Sequence, residues 1–409
     1  METDRIRTRC CIVGGGPAGI MAGYLLARGG VDVVVLEKHG DFLRDFRGDT
    51  IHPSTLQLMH ELGLLEKFLQ RPHSEVASLE GIVGDDEFHM ADFSHLPTRC
   101  KYIAFMPQWE FLDFLSQEAR RFPRFHLRMN ARASGLLHSD GVVTGVTGED
   151  TNGPFEISAD LVIAADGRSS DIRRAADLQV EDLGAPMDVL WLRLSKQPGD
   201  GAATLGRISA GALFIMLDRG DYWQCALVIR KGSAGDVKAK GLDALRGLLA
   251  RASAPPKSRF DEVTGVDDAK LLTVTVDRLT QWAKPGLLCI GDCAHAMSPV
   301  GGVGINLAIQ DAVAAANILA VPLRAGAVDL ATLNKVQARR MFPTRATQAL
   351  QIAIQKRVIA PTLAATQTPR LPAALKLFNV FPVLRRIPAR VIGMGFRPEH
   401  ISPDLLTPR

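Results

Sequence analysis

Gly14, Gly16 and Gly19 stand near the N-terminus at the spacing Gly-x-Gly-x-x-Gly, with Pro17 and Ala18 inside the turn. At this spacing the first glycine permits a tight turn, the second lets a phosphate approach the backbone, and the third allows a helix to sit close on the preceding strand. Glu37 follows 18 positions after Gly19, with Lys38 beside it. Its carboxylate is placed to accept hydrogen bonds from ribose hydroxyls. A glycine-rich turn alone is only a turn. A strand before it, a helix after it and an acid at the next strand end make it a dinucleotide site, and both FAD and NAD(P) fit that fingerprint.

Two further clusters lie downstream. Ala165-Asp166-Gly167 is followed by Ser170 and Arg173, and Gly291-Asp292 is followed by His295, Pro299, Gly301, Gly302, Gly304, Ile305 and Asn306. Each aspartate ends an apolar run read as a strand, and strand ends are where ligands bind in open α/β sheets. Ile305, Ile309, Ala312, Ala316 and Leu319 recur near helical spacing, so a helix starts close to Gly304. Its N-terminal N–H groups and positive partial charge favour a ligand edge that gains negative charge. His295 reads as a structural histidine packed beside the loop.

These three signatures, in this order, resemble the single-component flavin-dependent aromatic hydroxylases, the group of p-hydroxybenzoate hydroxylase. The resemblance implies FAD as cofactor, with Asp292 on its ribityl chain and the Pro299 to Gly304 loop against the flavin ring. It places Arg47 in a mobile loop touching the cofactor and Gln108 near the ribityl chain. Surface arginine and exposed helix-start glutamine are the competing readings, and Asn306 is either a flavin contact or a first-turn polar residue. The implied cycle runs from NADH or NADPH, a transient co-substrate without its own fold, to FAD. It continues through O2 addition at flavin C4a to a hydroperoxide, and then to an electron-rich aromatic small molecule. No side chain is assigned a catalytic role.

The elements that carry these residues read as α/β. Cys10 to Val13 and Val31 to Leu36 are buried strands around a helix from Pro17 to Arg28, and Asp160 to Ala164 and Leu287 to Ile290 are further strands. Residues 186–280 change texture, with strands at Val189 to Leu194, Gly211 to Asp218, Trp223 to Arg230 and Leu271 to Arg278 and a helix at Leu242 to Ala252. The expected fold is a Rossmann-like FAD-binding domain of the glutathione reductase type, with an inserted antiparallel β-sheet substrate domain and C-terminal helices. The expected parts are FAD-binding at 1–75, 98–185 and 281–345, substrate-binding at 76–97 and 186–280, and a helical segment at 346–409. Trp191, Phe214, Met216, Tyr222 and Trp223 are candidates to line the substrate pocket, with core packing as the alternative for each. Of the three tyrosines, only Tyr222 is placed to relay a phenol proton. Cys293 stands where many relatives carry alanine.

Composition sets outer limits. The 409 residues carry a formal charge of +4 and 46% hydrophobic residues, without a charge run long enough to argue for nucleic acid. No apolar signal core or uninterrupted span of about 20 apolar residues is present, and a cytoplasmic protein is expected, with a homodimer as the assembly left open. The six cysteines show no zinc spacing and are read as reduced, with no metal site. A halogenase of the same fold calls for a Trp-x-Trp-x-Ile-Pro signature, which the four tryptophans do not form. A same-fold reductase of a prenyl or polyene lipid, and a flavoprotein that sequesters its ligand, stay open as alternatives. From Ala346 onward arginines stand among apolar residues between prolines. Packing of terminal helices is expected there, with an amphipathic membrane or partner contact as the alternative.

Overall fold

The structure, a computed structural model, describes residues 3–43, 50–200, 205–252, 257–367 and 369–409. Strand β1 (Asp4–Val13), helix α1 (Pro17–Arg28) and strand β2 (Val33–Leu36) open the chain. Helix α2 (Gln108–Ala119) and strand β3 (Gly153–Ala164) follow. β1 pairs in parallel with β2 on one side and β3 on the other, and the sheet continues in parallel to Phe125–Arg128 and Leu287–Cys289. The last four residues of β1 and all of β2 are buried, as sheet strands covered on both faces must be. The α1 residues Ile20, Met21, Leu25 and Leu26 are fully buried against them. At about 1.5 to 3 kcal/mol per buried large aliphatic side chain, this contact anchors the glycine turn at the head of α1.

The second sheet holds strands β4 (Met187–Ser195), β5 (Ala212–Asp218) and β6 (Tyr222–Arg230). Its full order is Lys270–Leu272, β4, β6, β5, Leu205–Ser209, Ser78–Val83 and Asp86–Asp92. The sheet is mixed rather than antiparallel throughout, because Leu205–Ser209 runs parallel to Ser78–Val83. Helix α3 (Leu242–Ala252) covers one face through Leu245 and Leu249. The expected strand Leu271 to Arg278 divides in two, since Asp277–Leu279 pairs with Val180–Asp182 and His295–Ala296 in a separate small sheet.

Strand β7 (Leu287–Cys289) leads to helices α4 (Gly304–Ala325) and α5 (Leu330–Ile354). α4 is long and apolar enough to cross a membrane by composition, but most of it is buried against α1 and α5. α5 runs unbroken through residue 346, where a segment boundary was expected. The chain then crosses the edge strand Asp86–Asp92, where the Asn379 amide donates to Glu87 O at 2.8 Å and accepts from His89 N at 3.1 Å. All six cysteines are buried free thiols.

Candidate functional site

The glycine turn leaves β1 at Val13, which lies between Leu36 and Ala164. Gly14 has φ +109°, and a Cβ there would stand 2.4 Å from Ala165 O. A Cβ on Gly19 would fall 1.8 Å from Gly14 O, so the helix and the turn meet with no room for a side chain. Gly16 is the opposite case, with nothing within 4 Å of an added Cβ. It is also the N-cap of α1, and neither a capping side chain nor an acid occupies the first turn. An uncapped helix end facing open space is a site for an anion such as a pyrophosphate.

Glu37 closes one side of this space. Its carboxylate accepts Gly15 N at 3.0 Å on one oxygen and His39 N at 3.1 Å on the other, so it holds the turn as well as the strand end. Lys38 is exposed. On the other side Asp166 follows Ala165, whose N–H donates to Val13 O at 2.7 Å. One Asp166 oxygen accepts Ile172 N at 3.4 Å; the other, Oδ1, is buried without a partner among the described residues. Burial pushes the Asp166 carboxyl above its ordinary range. A buried carboxylate oxygen with no donor is costly unless a ligand supplies one. Gly167 beside it faces open space.

Gly291 lies between α1 and α4, where an added Cβ would meet Ala18 at 3.0 Å and Ala308 at 3.2 Å. The half-buried Asp292 next to it has no hydrogen-bond partner among the described residues. The loop continues through Pro299 and Gly301 to Gly302, whose carbonyl accepts Thr50 Oγ1 at 2.8 Å. α4 then starts at Gly304 without a side-chain cap or a first-turn acid, and Ile305 turns inward. Asn306 is a clamp. Its oxygen accepts His52 N at 2.9 Å and Thr55 Oγ1 at 2.8 Å, and its nitrogen donates to Thr50 O at 2.9 Å and Gly302 O at 3.4 Å. With these four bonds its amide ties the loop to Thr50 and His52 and has no capacity left for a ring.

Beneath the loop is a charged network that sequence reasoning missed. The fully buried Asp311 accepts Gly291 N at 3.1 Å, lies 2.6 Å from His295 Nε2 and pairs with Arg340 Nε at 2.9 Å. Arg340 also reaches Glu399 at 3.2 Å. Burial raises the Asp311 carboxyl, and the His295 ring and Arg340 guanidinium more than reverse this, holding it below its ordinary value. The signal was the one acid in the mostly apolar α4. Helix α5 adds two glutamines that were also missed. Gln351 donates to Ser298 O and Val300 O, both at 2.9 Å, and Gln348 donates to Asp277 O at 2.7 Å and Ala296 O at 3.1 Å.

The second sheet turns one face toward this loop. Val189, Trp191, Leu213, Ile215, Ala226 and Val228 pack in one cluster with Val300 of the loop and with Ile354, Ile359 and Leu363. Phe214, Met216 and Trp223, expected in the pocket, lie on the other face, packed with Leu245, Leu249 and Phe260. Strand alternation accounts for this: Trp191 pairs with Ala226, whereas Phe214 pairs with Leu227 and Trp223 with Leu194. Tyr222 is at the strand end with the Arg193 guanidinium 3.8 Å from its ring centre. Gln108 opens α2, half-buried and with its amide unpaired among the described residues. Arg47 and its neighbours lie outside the described residues.

Open space at Gly16 and Gly167, the orphaned Asp166 oxygen and the unpaired Asp292 fit the phosphates and hydroxyls of FAD. Comparison with known proteins agrees. A family model described as an FAD binding domain matches residues 7–349. The chain is 30% identical to 6-methylpretetramide 4-monooxygenase of Streptomyces rimosus, over 98% of this chain and 96% of that one. In fold it is similar to p-nitrophenol 4-monooxygenase of Pseudomonas putida, with a TM-score of 0.75 at 19% identity, covering 100% of both chains. It is also similar to a probable FAD-dependent monooxygenase of Pseudomonas aeruginosa, with a TM-score of 0.72 at 23% identity, over 88% of this chain and 98% of that one.

Proposed function

This chain belongs to the FAD-binding family of aromatic monooxygenases, and we propose that it places one oxygen atom of O2 on an electron-rich ring of a small aromatic molecule. Bound FAD supplies the redox chemistry, receiving reducing equivalents from NAD(P)H and activating O2. Gly14, Gly16, Pro17, Ala18 and Gly19 would hold the pyrophosphate, Glu37 the ribose hydroxyls of the adenosine half and Asp292 the ribityl chain, with Asp166 as a further acceptor toward FAD. The start of α4 presents unpaired N–H groups to the loop, which favours the negative charge of a reduced ring.

The substrate stands against the wall formed by Trp191, Val189, Ile215 and Val300. These side chains offer no acid or base, so their work is to hold a flat apolar molecule and exclude water. The named substrate of the Streptomyces relative supports a fused aromatic ring system. Six buried, unpaired thiols suit a reducing compartment such as the cytoplasm.

The observation that carries this proposal is the open, uncapped Gly16 turn at the head of α1 together with Asp166, whose Oδ1 is buried without a partner among the described residues. The test is a screen of phenols and fused polyphenols by NAD(P)H oxidation, with products identified by mass spectrometry. A product heavier by one oxygen, formed only with FAD-loaded enzyme, supports it. A saturated alkyl product from a prenyl lipid would favour the lipid-reductase alternative instead.

A further inference from the structure

We propose that the side-chain amide of Gln355 donates a hydrogen bond to an oxygen of the aromatic substrate and so selects where on the ring the oxygen is placed; this rests on the monooxygenase function above. Gln355 is 1% exposed, and its Nε2 has no partner among the described residues. The same helix satisfies its other buried glutamines, since Gln348 and Gln351 each donate twice to backbone carbonyls of the loop region. One turn beyond Gln351, the α-helical pattern gives way to a π-helical turn at Gln355–Ile359. Such turns interrupt the regular α-helical hydrogen bonding and are frequent at functional sites.

The position fits a ligand contact. Ile354 and Ile359, at the edges of the π turn, pack in the cluster that holds Val300 of the loop and Trp191 of the sheet. Gln355 therefore sits in the element that joins these two walls, and no described residue offers its Nε2 an acceptor. A buried donor in an apolar wall discriminates strongly between ligands that carry an acceptor there and ligands that do not. The matching group is a carbonyl, phenol or phenolate oxygen.

The experiment compares the FAD-loaded native protein with Gln355→Met and Gln355→Glu. Without substrate, Gln355→Met removes an unsatisfied amide at nearly constant volume, so its melting temperature rises by about 2 °C. A lower melting temperature would mean that the amide holds the fold together, and would overturn the proposal. With 6-methylpretetramide and p-nitrophenol as probes, KM for whichever is hydroxylated rises about tenfold or more in Gln355→Met. An unchanged KM and product pattern in Gln355→Met would also overturn the proposal. If the native enzyme oxygenates no aromatic compound, the monooxygenase function fails, while the melting comparison still decides whether Gln355 is a structural residue.

Discussion

Asp311 reaches from α4 to accept the backbone N–H of Gly291 at 3.1 Å, tying the turn that carries Asp292 to a carboxylate that His295 and Arg340 also hold. Helix, strand end and C-terminal region thus meet at one buried charge. Asp311→Asn removes one of the two carboxylates that pair with the buried Arg340 and leaves Glu399 as its remaining counter-ion, which costs about 1 to 3 kcal/mol. Chemical denaturation measures the loss, and a change near zero would mean the network bears no load.

The same pair sets a pH dependence. The Asp311 carboxyl is held below its ordinary value of 3.8 in the folded state. A depressed carboxyl stabilises the fold fully above the unfolded value, and that contribution is lost as pH falls below about 3.8 through the folded value. Native protein should therefore lose stability more steeply than Asp311→Asn over that acid range. Parallel curves would remove Asp311 as the cause.

Gly16 and Gly19 should separate binding from folding. Gly16→Val projects into open space at an ordinary backbone angle, so the apoprotein melts near the native temperature but does not retain FAD. Gly19→Ala puts a Cβ against Gly14 O and prevents the fold. Melting curves and bound-flavin absorbance distinguish the two. FAD retention in Gly16→Val would place the pyrophosphate elsewhere.

Asp292→Ala deletes a carboxylate with no partner among the described residues, so apoprotein stability stays native. FAD affinity falls about 10- to 100-fold, the equivalent of one charge-assisted hydrogen bond at about 1.5 to 3 kcal/mol. Titration with FAD reads the effect, and an unchanged affinity excludes Asp292 from the site.

The two sheet faces give opposite results. Phe214→Ala empties a fully buried position under α3 and costs about 3 to 5 kcal/mol. Trp191→Ala costs less, and instead raises the KM for the aromatic substrate. Reversed effects would mean that the pocket opens on the α3 face.

What was legible in the sequence is what local sterics demand. Gly14 and Gly19 are fixed by contacts within the turn and with the adjacent strand end, and Gly16 by the helix it caps, so their spacing announces them. Asp311, Gln348 and Gln351 act across 20 to 71 residues on backbone atoms, and no local pattern marks which polar residue of a helix will do so. Asn306 was visible as a first-turn polar residue, but its four partners depend on where Thr50 and His52 are folded. Trp191, Phe214, Met216, Tyr222 and Trp223 stand out in the sequence by large apolar or aromatic type, which does not distinguish the two faces of a sheet. Alternation along paired strands puts Trp191 opposite Ala226 on one face and Phe214 opposite Leu227 on the other, and that parity was the better signal.

The most direct test of the monooxygenase account uses 18O2 in a reaction of FAD-loaded protein, NAD(P)H and an aromatic substrate found in the screen. One 18O atom per product ring, with label absent when only the water is 18O-enriched, is the expected result. NAD(P)H consumed with all label in hydrogen peroxide or water, and no labelled organic product from any compound in the screen, would contradict the account.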